Sequence, residues 1–172
     1  MVVSPDLRRF LAFLSACGLT ASVVAYIESF SGTMVDETMR LVFLLPLGAL
    51  ALEIPIHTLE HPSSRNRRFY WKEFARRMPS WVMPFSYLLV AVVIAHGILF
   101  FLQGGTGMPT VENGQYFING HGRVLKVLTQ TEYVGLRKAE LRMLASLMIA
   151  CYFVPTMYWW FCRNPQKEEG GS

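Results

Sequence analysis

Four apolar stretches run along the chain, at about residues 7–30, 41–59, 81–103 and 141–161, with polar segments between them. Each is long enough to cross a ~30 Å hydrocarbon layer at ~1.5 Å of helical rise per residue. A soluble domain of 172 residues needs no such series. The pattern predicts an all-α membrane protein: one bundle of four transmembrane helices covering residues 1–172.

The polar segments predict further elements. Residues 104–109 read as a flexible, glycine-rich exit from the third span. Residues 115–119 and 123–128 are rich in Tyr, Phe, Ile, Val and Leu, which suits two short strands. Asn119-Gly120-His121-Gly122 between them tolerates positive φ, so a small β-hairpin is expected between spans three and four. Thr129 and Glu132 have the Thr-x-x-Glu spacing of a capping box. A helix should start there and run to Phe161, about 48 Å at ~1.5 Å per residue, so its first turns project beyond the bilayer. Pro155 should bend it. In the loop 60–80, Tyr70, Phe74 and Met78 recur every fourth residue among basic side chains. That spacing suits a short helix lying in the interface. The segment 164–172 is short and polar.

Charge supplies an orientation. The loop 60–80 carries Arg65, Arg67, Arg68, Lys72, Arg76 and Arg77 against Glu60 and Glu73. With Arg8, Arg9, Arg163 and Lys167 they put ten basic residues on one side. Six (Arg40, Arg123, Lys126, Arg137, Lys138, Arg142) lie on the other. The positive-inside rule then places both termini and the loop 60–80 in the cytoplasm of a bacterial inner membrane, and the hairpin segment 104–140 outside. The net charge of +4 flanks apolar segments instead of lining one soluble face, so anionic lipid headgroups, not nucleic acid, are the expected counter-charge. Arg8 and Arg9 before an apolar run resemble a signal peptide, but Tyr26, Glu28 and Phe30 make a poor cleavage site; an uncleaved first helix is expected.

Catalytic constellations are sparse. Glu53, His57, Glu60 and His61 share a helix end, and His-x-x-x-His spacing can bind a metal. Di-iron membrane enzymes need about twice the four histidines present, and the His-Glu-x-x-His of zincins is missing. The expected role is a polar interfacial helix end, with a metal-dependent enzyme as an alternative. Haem held by His57 and His96 is disfavoured because the two lie at different depths; His96-Gly97 reads as a polar helix–helix contact. Cys17, Cys151 and Cys162 read as small packing residues without disulfides or zinc spacing. Gly18 with Ser22, and Ala21 with Ala25, are small-x-x-x-small pairs, serving packing inside the bundle or a seam between two copies. No cofactor is expected. Tyr116, Phe117, Asn119, His121 and Arg123 are the candidate partner-binding residues, on an exposed aromatic hairpin.

The run from Tyr116 to Arg123, with Thr131-Glu132-Tyr133 and Ala139-Glu140-Leu141-Arg142 after it, resembles small proteobacterial inner-membrane proteins without an assigned activity. In layout alone the chain is similar to immunity proteins against pore-forming bacteriocins. That similarity implies a non-catalytic bundle binding another protein in or above the membrane. The alternative is an accessory subunit of a larger membrane complex.

Overall fold

The computed structural model describes residues 4–31, 35–55, 78–104, 107–112, 114–120 and 123–161. It is mostly helical, with one small antiparallel sheet. Helix α1 covers Pro5–Ser31. Its start follows from Ser4, whose Oγ accepts the Leu7 N–H at 3.2 Å, with Pro5 in the first helical position and Asp6 in the first turn. The second apolar stretch forms two short helices, α2 (Val35–Val42) and α3 (Leu45–Pro55). Helix α4 covers Val82–Gly104, and strands β1 (Met108–Glu112), β2 (Gln115–Gly120) and β3 (Arg123–Leu128) follow. Helix α5 closes the order at Gln130–Phe161. Among the described residues, α1, α4 and α5 are long and apolar enough to cross a membrane.

Helix α5 is the spine, and α1 packs along it. The buried face of α1 is Leu11, Ala12, Ser15, Ser22, Ala25 and Ser29. Ser15, Ser22 and Ser29 recur every seventh residue and are fully buried, which is the repeat of two helices wound as a left-handed pair. Small side chains let the backbones approach closely where lipid offers no hydrophobic drive. The hydroxyls satisfy themselves on their own helix: Ser15 donates to the Ala12 carbonyl at 2.9 Å and Ser22 to that of Gly18 at 2.7 Å. Ala21 is exposed, so of the two small-residue pairs only Gly18 with Ser22 lies on this seam. Cys17 is also exposed, against the expectation of a packing role.

The second stretch is not one continuous helix. Phe43 and Leu44 form a turn, with the Leu44 N–H reaching back three residues to the Leu41 carbonyl. Pro46 is the cause: it has no N–H to offer the Val42 carbonyl, so the regular ladder cannot pass. Tyr152 of α5 plugs the break. Its ring lies against Gly18 of α1 and its hydroxyl beside Gly48 of α3, leaving no room for a Cβ at either. The hydroxyl donates to the Leu45 carbonyl at 2.8 Å. One tyrosine therefore joins three helices at the break.

Helix α4 packs on α5 through Phe85 and Trp81, whose ring centroids lie 5.0 and 6.3 Å from that of Phe153. Most of its remaining surface is apolar and exposed, as suits a lipid face. Helix α5 continues unbroken through Pro155 to Phe161.

Candidate functional site

The sheet sits at one end of the bundle, on the first turns of α5. Its order is β1-β2-β3, both pairs antiparallel. The hairpin anticipated from the sequence is the β2–β3 pair. The structure adds β1 where an irregular exit was expected. Glu112 pairs with Gln115, and between them Gly114 turns the chain at φ 77°. Asn-Gly between apolar alternation is the strongest short hairpin signal in a sequence, and it was present to be read.

One face of the sheet packs on the helix. Ile118, Leu128, Tyr133 and Leu136 form a small core apart from the bundle's, with Tyr116 packed against it. The Tyr116 and Tyr133 rings lie 4.8 Å apart. The junction is fastened by the expected capping box. The Thr129 N–H and hydroxyl both donate to Glu132 Oε2, at 2.8 and 3.0 Å, and the Glu132 N–H donates back to Thr129 Oγ1 at 3.2 Å. Lys126 of β3 adds an ion pair to Glu132 Oε1 at 2.8 Å. The Lys126 hydrogen bond, followed by the two from Thr129, holds the Glu132 carboxyl down to about 2. Below this, Arg137 donates to the Tyr133 hydroxyl at 3.1 Å and to Glu140 Oε2 at 2.9 Å, so the buried Glu140 is neutralised locally.

The sheet has two edges of different character. Pro109 on β1 removes a donor from one, which blunts it as a template. β3 carries neither Pro nor Gly, and every residue from Arg123 to Val127 is exposed. Val124, Leu125 and Val127 are 54%, 55% and 64% exposed, an unusual state for three branched apolar side chains outside a span.

Of the candidate partner-binding residues, Tyr116 is half-buried against the helix, Phe117 and Asn119 are half-buried in the central strand, and Arg123 is exposed on β3. His121 lies outside the described residues. The apolar residues of β3 were read in the sequence only as strand formers; their exposure depends on which strand lies outermost, and spacing does not encode that.

Glu53 is half-buried on α3. His57, Glu60, His61 and the basic loop residues Arg65, Arg67, Arg68, Lys72, Arg76 and Arg77 lie outside the described residues. Among those described, no group of three His, Cys, Asp or Glu side chains is placed to hold a metal ion. His96 meets Tyr26 of α1, with Nε2 3.4 Å from the hydroxyl, the polar helix–helix contact its sequence setting suggested.

No family model matches the chain, and no curated protein or solved structure matches it either.

Proposed function

We propose that the chain is a non-catalytic, four-span protein of the bacterial inner membrane that recognises another protein by strand addition to β3. The sheet end faces outward and both termini face the cytoplasm, as the basic loop 60–80 implies. The bent pair α2–α3 serves as the remaining span, tied to α5 at its break by the Tyr152 hydroxyl. The observation that carries the reading is the β3 edge: among the described residues it pairs with β2 on one side only, it exposes Val124, Leu125 and Val127, and its sheet packs on α5. Main-chain hydrogen bonds would give affinity and the alternating side chains selectivity. In its sharpest form the partner is a membrane-acting toxin and the chain an immunity-type inhibitor.

The experiment is capture from native membranes with the wild-type chain and with Val127→Lys. A partner retained by the first and lost by the second is the expected result. Identical captures by both would overturn the role of β3, and a deletion strain surviving the toxin would overturn immunity. A second reading, an accessory subunit, draws on α4, which packs mainly on α5 and keeps much of its apolar surface exposed. It expects stoichiometric co-purification in mild detergent even with the β3 variant.

A further inference from the structure

A second polar cluster lies inside the bundle at the sheet end, apart from the β3 edge. Arg142 of α5 holds its guanidinium carbon 4.7 Å from the centre of the Phe30 ring of α1. Its Nε is buried without a hydrogen-bond partner, and the side chain makes no ion pair among the described residues. The Tyr26 ring of α1 bridges to this pair, with its centroid 5.4 Å from that of Phe30 and 5.6 Å from the His96 ring of α4, which also engages the Val92 backbone of its own helix. The Tyr26 hydroxyl completes the group from α1, 3.4 Å from His96 Nε2. Depth matters here. Arg142 lies 19 residues before Phe161, ~28 Å along the helix, where hydrocarbon gives way to headgroups. A guanidinium at that depth is costly unless an anion meets it, and its planar fork fits phosphate oxygens. The neighbouring flank of α4 is open to lipid.

We propose that Tyr26, His96 and Arg142 form a site for a phosphate group, reached from the leaflet at the sheet end, with a phospholipid headgroup as its natural source. Arg142 supplies charge and paired donors, while Tyr26 and His96, joined by one hydrogen bond, keep a single donor between them for the anion. Phe30 holds the guanidinium in place until the anion arrives.

The test uses the full chain in a neutral maltoside detergent, titrated with dioctanoyl phosphatidylglycerol, with dioctanoylglycerol lacking the phosphate, and with inorganic phosphate. Unfolding temperature and ligand affinity are read. Phosphatidylglycerol should stabilise the protein and dioctanoylglycerol should not. Arg142→Gln should weaken the phosphatidylglycerol affinity at least tenfold, and Arg142→Lys, which keeps the charge but not the fork, by a smaller factor. Inorganic phosphate binding as tightly and with the same dependence on Arg142 would support the site and assign it to a free anion. Equal stabilisation by dioctanoylglycerol, or unchanged affinity in the Arg142 variants, would overturn it. If Arg142→Gln does not fold, Phe30→benzoylphenylalanine decides by photo-crosslinking: capture of the phosphate-bearing lipid over dioctanoylglycerol supports the site, and equal capture removes it.

Discussion

Tyr152 offers the sharpest test of the packing argument. Its hydroxyl caps the Leu45 carbonyl at 2.8 Å and its ring fills the slot between Gly18 and Gly48. Tyr152→Phe removes the hydrogen bond and keeps the ring, so it should cost about 1 kcal/mol, within the ~0.6–1.7 kcal/mol measured for hydrogen bonds between membrane helices. Tyr152→Ala also empties the slot and should cost about 3 kcal/mol, the low end for losing a buried aromatic ring. Gly18→Ala drives a methyl into that ring and should cost about 1–3 kcal/mol by over-packing. The double variant Gly18→Ala with Tyr152→Ala carries the most information. Without the ring the methyl has room, so the double variant should be more stable than the two single costs imply, by about 1 kcal/mol or more. Reversible unfolding of the purified protein in maltoside micelles by added dodecyl sulfate, followed by far-ultraviolet circular dichroism, measures each value. If Tyr152→Phe is as damaging as Tyr152→Ala, or if the Gly18 and Tyr152 costs add within ~0.5 kcal/mol, the three-helix joint described here is wrong.

Other predictions concern the sheet end. The Glu132 carboxyl titrates near 2 in the folded protein against 4.5 ordinarily, so its stabilisation is present above pH 4.5 and is lost as pH falls towards 2. Amide hydrogen exchange around residues 129–133 should accelerate across that window in the wild type, and Glu132→Gln should abolish the acid dependence. Gly114→Ala places a Cβ at φ 77° and should destabilise the β1–β2 turn by about 1 kcal/mol, seen as faster exchange in β1 with the bundle unchanged. Leu125→Lys, like Val127→Lys, should alter folding stability by less than ~0.5 kcal/mol because its site is exposed, yet weaken partner capture at least tenfold.

What the sequence disclosed follows from how local each cause is. The three long helices were legible because a lipid span is written in consecutive residues. The Thr129–Glu132 cap was legible because its chemistry closes within four residues. The β2–β3 pair came from composition and from glycine in the turn. β1 was missed because Pro109 and the nearby glycines masked an alternating strand, even though Asn113-Gly114 marked its turn. The break in the second stretch had its own sign in Pro46, outweighed by an unbroken run of apolar residues. The four-residue spacing of Gly18 with Ser22 does not by itself fix which face meets α5; the seven-residue repeat of Ser15, Ser22 and Ser29 does. The joining of Tyr26, His96 and Arg142 was not legible, because it depends on how three helices rotate about their axes.

Helix α5 is at once the sheet's mount and the bundle's spine, and no joint separates the two roles. A pull or tilt on the strands would travel along one helix, past Arg142, to Tyr152 and its two neighbouring helices, before Pro155 removes a bond from the ladder. The protein is built like a mast stepped in a keel: whatever loads the top is felt along the full height of the hull.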